Sequence, residues 1–241
     1  MTSSAYTELQ ARKRKWTPVA VDAGKLLEGG EEVVQRGLAL RCLEIPVGDF
    51  ISEAMKGDLP DVYGCKELLL SNVQDEINHD IALDFAAQAH RIPDRFEKEA
   101  AQIKKAWLEL DRHPVLKAVV LERSVFFVLL PFFRFNGDMG IRTVASDISR
   151  DEQTHTLIHA MVAHDLGEKT TPALDKLRKA TVHWAMDQLG VSSNKYLNKD
   201  FWLKASDNLY HQGKATELAE TQRARMPAFF ESSNINLPQY G

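Results

Sequence analysis

The chain is poor in the residues that build disulfide frameworks and in the long apolar runs that cross membranes. Only two of its 241 residues are cysteine, Cys42 and Cys65, and neither belongs to a paired metal-ligand motif. The longest apolar run, Val125–Phe133, is interrupted by Pro131 and closed by Arg134. It is far shorter than the roughly 20 residues that span a bilayer. We therefore expect a reducing compartment and no membrane span.

An excess of charge of either sign is also missing. The 30 Lys+Arg and 34 Asp+Glu residues give a formal net charge of −4, which argues against a protein that coats nucleic acid. The segment from Met1 to Trp16 contains a short basic run but no apolar core of a secretory signal. Because 44% of the residues are hydrophobic, wholesale disorder is excluded. These features predict a globular, cytoplasmic protein.

Glycine and proline are sparse, with 13 and 9 residues, and they cluster between long stretches of helical character. Strand-like alternation is nowhere sustained, so the sequence predicts an all-α fold. Asp94 is expected to cap one helix and Pro131 to kink another. The predicted helices cover residues 31–55, 62–90, 94–112, 115–135, 139–165, 172–189 and 199–222. The predicted organisation is an N-terminal arm (1–30), a helical domain (31–225) and a C-terminal tail (226–241).

The motif Glu-x-x-His occurs twice, as Glu76-Ile77-Asn78-His79 and as Glu152-Gln153-Thr154-His155. Residues i and i+3 of a helix lie on one face, roughly 4.5 Å apart along the axis. The carboxylate and the imidazole of each motif can therefore reach the same metal ion.

A lone glutamate precedes each motif by one helix and a turn, so the chain contains two similar helical hairpins. This is the ligand pattern of ferritin-like di-iron and di-manganese carboxylate bundles. Oxygen and imidazole ligands suit iron and manganese, and the lack of cysteine ligands argues against structural zinc. The predicted metal ligands are Glu44, Glu76, His79, Glu122, Glu152 and His155.

An alternative is that these residues are surface charges accompanied by chance histidines. Glu122 argues against it, because this residue lies within the apolar stretch Val119–Phe127, where an unpaired charge would cost several kcal/mol. The remaining histidines are expected to be cap, loop or surface residues. His159, one turn after His155, is expected to support the site or to pack beside it.

Two longer segments resemble the metal-binding helices of the class I ribonucleotide reductase small subunit. They are Gln74-Asp75-Glu76-Ile77-Asn78-His79 and Ser149-Arg150-Asp151-Glu152-Gln153-Thr154-His155. The segment Trp16-Thr17-Pro18-Val19-Ala20-Val21-Asp22 is similar to that family's N-terminal Trp-x-Pro-x-x-Val-Asp segment. The resemblance spans about Trp16 to His155, and the chain is short for the family, like a minimal version that a phage might carry.

The resemblance implies catalytic roles for three further residues. Trp16 would relay an electron near the site, and Asp151 would link Trp16 to the ligand His79. A ligating imidazole commonly donates its other N–H to a carboxylate, which agrees with this role. Tyr240 would relay the radical from the C-terminal tail into the large subunit.

Two positions depart from the family's usual pattern. The radical-bearing tyrosine would stand one turn after His79, where this chain has Leu83, and the first ligand is Glu44 in place of the usual aspartate. Both features resemble the tyrosine-less subgroup, in which a manganese-containing cluster itself stores the oxidant. The expected cofactor is therefore two metal ions per chain, manganese and/or iron, with manganese favoured.

The resemblance implies a ribonucleoside-diphosphate reductase small subunit that generates a one-electron oxidant and passes it to a large catalytic subunit. The expected partners are that subunit and a second copy of this chain in a homodimer. Two alternatives remain open at this point. One is a ferritin-like dimetal oxidase or oxygenase, and the other is a metal-storage bundle.

Overall fold

The computed structural model describes residues 5–57 and 59–212, and this part of the chain contains helices and no strand. The prediction of an all-α fold is confirmed for these residues. Among them no helix combines the length and the apolar character needed to cross a membrane. The α-helices are α1 (Ala5–Gln10), α2 (Glu31–Ala39), α3 (Glu44–Ala54), α4 (Cys65–His90), α5 (Asp94–Glu109), α6 (Pro114–Leu121), α7 (Phe127–Asn136), α8 (Met139–Asp165), α9 (Pro172–Ala185) and α10 (Lys199–Gln212).

Three shorter helical segments complete this list, and two of them correct the sequence prediction. The helix predicted over 31–55 is broken by a 3₁₀ turn at Leu40–Leu43. The helix predicted over 115–135 contains a π-helical segment, Glu122–Phe126, upstream of Pro131. There the backbone N–H of Phe127 donates to the carbonyl of Glu122, which widens the helix by one residue. A second 3₁₀ turn lies at Lys195–Leu197.

Other boundaries differ by a few residues, and α1 was not predicted. Asp94 is the first residue of α5, whose preceding residue Pro93 offers no side-chain cap, so the predicted Asp94 cap is wrong. In contrast, α8 has the predicted bounds, because Asp138 caps its first turn by accepting a hydrogen bond from the Ile141 N–H. Gly167 ends the helix with a φ of +72°, which favours glycine.

Four helices enclose the centre of the molecule in a closed ring of contacts. In this ring α3 packs against α4, α4 against α8, α8 against α6, and α6 against α3. The π-helical segment continues α6 along the same interior, while α7 packs against α8. Side chains of all four ring helices therefore face one shared core.

The N-terminal arm, residues 5–30, crosses the outside of this ring. Its helix α1 packs on α4 and α8, and the Tyr6 hydroxyl donates to Asp165 at 3.2 Å. Further along, the Gly24 N–H donates to the Asp138 carboxylate at 2.5 Å. A Cβ at Gly140 of α8 would lie 2.9 Å from the Cβ of Val21, so glycine is needed where the arm passes. The arm is thereby held against α4 and α8.

Candidate metal centre

The six predicted ligands meet at the centre of the ring. No more than 1% of any of these residues is exposed. The lone glutamates begin their segments, Glu44 on α3 and Glu122 on the π-helical segment. The two Glu-x-x-His motifs lie on α4 and α8, which contact each other. The two hairpins of the sequence thus contribute equivalent sets of side chains.

The first histidine faces three of the carboxylates through its Nδ1 atom. His79 Nδ1 lies 3.3 Å from Glu152 Oε1 and 3.4 Å from Glu76 Oε2. Glu44 Oε2 lies at 3.7 Å from the same nitrogen. One lone pair of His79 is therefore directed at the space that these carboxylates enclose.

The second histidine repeats the arrangement from the opposite side. His155 Nδ1 lies 2.8 Å from Glu76 Oε1, 3.7 Å from Glu152 Oε1 and 3.8 Å from Glu122 Oε1. Glu76 and Glu152 contact both histidines, whereas Glu44 is paired with His79 and Glu122 with His155. Ligand atoms of Glu76, His79, Glu152 and His155 all lie within 4.8 Å of one another, so this group could hold a metal ion.

Burial dominates the electrostatics of the site. It raises the pKa of Glu44 and of Glu122 well above the ordinary value, because desolvation penalises a carboxylate. Burial acts in the same direction on Glu76, but the two imidazoles beside it outweigh this effect and lower its pKa. Burial also disfavours imidazolium, yet nearby carboxylates, foremost Glu76 for His79 and Asp75 for His155, raise the pKa values of both histidines. The cluster thus holds acidic groups that have too few cationic partners.

The hydrogen bonds of the site also show more acidic groups than partners for them. Nine buried atoms of these six residues have no hydrogen-bond partner, including both oxygens of Glu44, Glu76 and Glu152 and the Nδ1 atoms of His79 and His155. Buried polar atoms are normally paired, because an unpaired one costs about 1–3 kcal/mol. So many unpaired acceptors converging on one space fit a bound cation.

Behind His79, a carboxylate and an indole continue the site toward the surface. His79 Nε2 lies 3.4 Å from Asp151 Oδ2, and the Trp16 indole N–H donates to the same oxygen at 2.6 Å. The Trp16 and His79 rings are stacked with centroids 6.2 Å apart. Arg14 Nε lies 3.7 Å from the other oxygen of Asp151. The resemblance to the reductase small subunits implied this grouping of Trp16, Asp151 and His79.

Behind His155 stands a matching carboxylate that the sequence analysis did not assign. His155 Nε2 lies 3.0 Å from Asp75 Oδ2, and Asp75 forms an ion pair with Lys13 of the arm. Asp75 directly precedes Glu76, just as Asp151 precedes Glu152. That repetition is a signal from which the role of Asp75 could have been found, whereas the contact of Lys13 depends on the path of the arm.

His159 supports the site as the sequence predicted, and its contact is with Glu122. Its Nδ1 atom lies 2.6 Å from Glu122 Oε2, and its Nε2 atom lies 3.1 Å from the side-chain nitrogen of Asn72. Burial and the neighbouring His155 lower the pKa of His159 well below its ordinary value. Neither Asn72 nor its contact with His159 was expected from the sequence.

A cleft of about 560 Å³ opens beside these outer groups. Arm residues, among them Lys13 and Trp16, form one wall, and Asp75 and Asn78 of α4 are on the other. The cleft therefore borders Asp75 of the second histidine–aspartate pair and the indole of Trp16, but not the buried glutamates.

Two further residues were assigned from the sequence, Leu83 and Tyr240. Leu83 is 3% exposed and lies on α4 one turn after His79, so no phenol occupies that position. Tyr240 and the whole predicted tail lie outside the described residues.

Comparison with protein-family models, with curated proteins and with solved structures finds no match to the chain. The function of the site is therefore inferred from its geometry and from the motifs.

Proposed function

We propose that this chain is a ferritin-like bundle that holds two metal ions and serves as the radical-generating small subunit of a ribonucleotide reductase. The observation that carries the proposal is the hydrogen-bonded connection from a ligand histidine, His79, through Asp151 to the half-buried Trp16. A storage bundle or an oxygenase needs the ligands but has no evident need for this connection.

The charge of the site fits two divalent cations. Four buried carboxylates carry four negative charges when ionised, and two divalent ions balance them while both imidazoles stay neutral. A neutral imidazole whose Nε2–H faces an aspartate keeps its Nδ1 lone pair free for a metal. Both His79 and His155 have this orientation, with Asp151 and Asp75 as the respective partners.

The contacts suggest how the ligands are shared between the two ions. Glu44 and His79 would bind one ion, and Glu122 and His155 the other. Glu76 and Glu152, which approach both histidines, would be shared. Oxygen and imidazole ligands suit manganese and iron, and the leucine at the usual tyrosine position favours a manganese-containing pair.

When bound, the metal pair would supply a one-electron oxidant formed with O₂ or a reduced oxygen species. The side chains of this chain would bind and shield it, because the ligands are buried away from the cleft. Trp16 would give up an electron toward the site, and Asp151 would accept hydrogen bonds from both the indole and His79, holding them at short range. The proposed partners are a large catalytic subunit and a second copy of this chain, with Tyr240 continuing the route.

Replacing Trp16 by Phe tests the proposal, since it removes the indole N–H and keeps an aromatic ring. Trp16→Phe should bind metals normally and lose nucleotide reduction when mixed with the large subunit from the same source. Trp184→Phe is the matched control, because the Trp184 N–H also donates to a carboxylate, Glu99, at 2.6 Å. Full activity in Trp16→Phe would contradict the proposal and favour the oxygenase or storage alternatives. Tyr240→Phe tests the tail in the same assay.

A further inference from the structure

The outer oxygen of Glu122 is the starting point of a chain of polar contacts that leads out of the site. His159 Nδ1 lies 2.6 Å from Glu122 Oε2, and His159 Nε2 lies 3.1 Å from Asn72 Nδ2. Asn72 Oδ1 in turn accepts a hydrogen bond from Lys13 Nζ at 2.7 Å. None of Glu122, His159 and Asn72 is exposed, whereas Lys13 lines the cleft. A cation of the arm is thus connected to the interior through the side chains of Asn72 and His159.

The direction of every bond in this chain follows from Lys13. An ammonium group can only donate, so the oxygen of the Asn72 amide faces Lys13 and its NH₂ group faces His159. His159 Nε2 must then accept, which assigns the ring proton to Nδ1. The Nδ1–H therefore donates to Glu122 Oε2. The reverse assignment, with a protonated Glu122 donating to Nδ1, would set an Nε2–H against the amide hydrogens of Asn72.

This bond leaves only one oxygen of Glu122 for the site. Oε1 has no hydrogen-bond partner and faces His155 Nδ1 at 3.8 Å, while Oε2 is held by His159. Lys13 also forms an ion pair with Asp75, which contacts His155 Nε2. One ammonium group therefore acts on both ligands that belong to the second metal position, Glu122 and His155.

We propose that Lys13 is a positioning residue that, through Asn72 and His159, fixes Glu122 as a one-oxygen ligand of the second metal ion. The metal-binding part of this inference rests on the proposed function. The tautomer of His159 does not, because it can be measured in the metal-free chain.

The test begins with the full chain free of metal and labelled with ¹⁵N-histidine. In the wild type, His159 should show a protonated Nδ1 and a bare Nε2, which resonate far apart. Lys13→Met should lose this single form and show both tautomers, because the Asn72 amide is then free to turn over. Lys13→Arg should restore the wild-type pattern. Lys15→Met is the matched control, since it removes a charge from an exposed residue of the same arm.

Metal binding provides the second measurement. In Lys13→Met the affinity for the second Mn²⁺ should fall about 10–100-fold, as is typical when a group behind a ligand is lost. A crystal structure of the Mn-loaded wild type should show Glu122 bound through Oε1 alone, and Lys13→Met should show both oxygens on the metal. Lys15→Met should match the wild type in both measurements.

The outcomes separate the two proposals. A protonated Nε2 in wild-type His159, or an unchanged tautomer and Mn²⁺ affinity in Lys13→Met, would overturn the role of Lys13. The expected tautomers in a chain that binds no second metal ion would overturn the proposed function and, with it, the coordination mode assigned to Glu122.

Discussion

At the scale of single residues, Glu44 is the less satisfied of the two lone glutamates. Neither of its oxygens has a hydrogen-bond partner, whereas Glu122 Oε2 is paired with His159. Its burial raises its pKa well above the ordinary value. The carboxylate of Glu44 is therefore unfavourable without a cation and is positioned for one. Removing the charge of Glu44 should therefore favour the metal-free folded protein and weaken its affinity for metal.

We expect Glu44→Gln to reduce the metal content from two ions to one per chain without lowering the melting temperature of the metal-free protein. The amide keeps the shape of the side chain and removes a desolvated carboxylate. Metal analysis and calorimetry measure the two effects. Glu53→Gln, an exposed position of the same helix, is the control and should bind two ions. Two tightly bound ions in Glu44→Gln would exclude Glu44 as a ligand.

Leu83 leads to a spectroscopic prediction. Because the side chain at this position cannot be oxidised, the active protein should carry its oxidising equivalent on the metals. EPR after aerobic reconstitution with iron, manganese or both should show a metal-centred signal. A sharp tyrosyl signal that disappears when Tyr6, Tyr63, Tyr196 or Tyr210 is replaced would contradict this expectation.

The sequence was informative for residues whose spacing follows a helix and uninformative for contacts made by the arm. The Glu-x-x-His motifs set two ligands on one face of α4 and of α8, so their convergence could be predicted. Lys13 lies far from Asn72 in the sequence, and no local periodicity indicates that the two side chains meet. Such a contact depends on the tertiary path of the arm.

At the scale of helices, the π-helical segment is one of the features that the sequence did not predict. Pro131 is a recognisable helix-breaking residue, but the widened turn lies upstream of it, at Glu122–Phe126. Its Ser124 carbonyl accepts a hydrogen bond from the Ser206 hydroxyl of α10 at 2.7 Å. Ser206 accepts in turn from Arg178 of α9 at 2.7 Å. The wider turn is therefore stabilised by tertiary contacts that a local pattern does not reveal.

Arg178 should accordingly contribute strongly to stability. It is 1% exposed and also donates to Asp175 and Asp207. We expect Arg178→Met to lower the free energy of unfolding by about 2–3 kcal/mol, because it leaves charged and polar partners unpaired. Lys179→Met is the control in urea denaturation. Lys179 pairs with the same Asp175 but its side chain is 46% exposed, so its loss should cost less than about 1 kcal/mol. Equal losses would contradict the role of Arg178.

The cap of α8 gives a pH prediction. Burial opposes the ionisation of Asp138, but His90 and the backbone N–H groups of Ile141 and Gly24 outweigh it and lower its pKa below 3.8. A lowered pKa in the folded state contributes stability that is complete above the unfolded value and is lost as the pH falls through the folded value. Asp138→Asn should therefore lose less stability than the wild type on acidification below about pH 4.

Urea denaturation at decreasing pH, down to the onset of acid unfolding, measures this difference. Asn keeps an oxygen that can cap the helix, so the comparison isolates the charge of Asp138. Asp111→Asn is a suitable control, because Asp111 is an exposed loop residue. Parallel stability profiles for Asp138→Asn and the wild type would show that the ionised carboxylate contributes nothing.

At the scale of the whole molecule, the four buried glutamates of the site lie at the centre of the ring formed by α3, α4, α6 and α8. The two hairpins and the helical periodicity predicted which helices approach each other, so this part of the architecture could be anticipated. The route of the arm could not, because residues 11–30 form no helix and have no periodicity from which a packing partner follows. Metal binding should stabilise the entire ring, since α3, α4, α8 and the π-helical segment that continues α6 each supply candidate ligands.

We expect Mn²⁺ or Fe²⁺ to raise the melting temperature and a chelator to reverse the effect. At a free metal concentration about 100 times the dissociation constant, each site should add about 2.7 kcal/mol to the free energy of unfolding. Differential scanning calorimetry under anaerobic conditions measures this gain. The double variant Glu76→Gln, Glu152→Gln removes the carboxylates that approach both histidines, so metal should no longer shift its melting temperature. A shift of wild-type size would place the bound metal elsewhere.

The arm makes the two matched halves of the site unequal. Asp151 and Asp75 stand in the same relation to their histidines, yet Asp151 contacts the indole of Trp16 while Asp75 contacts the ammonium of Lys13. Only the first of these neighbours is an oxidisable group. Under the proposed function, a centre whose ligands are nearly symmetric would therefore conduct electrons on the Trp16 side and not on the Lys13 side. Two residues of an irregular segment, Trp16 and Lys13, rather than the ligands themselves, would then set the direction in which an electron could move.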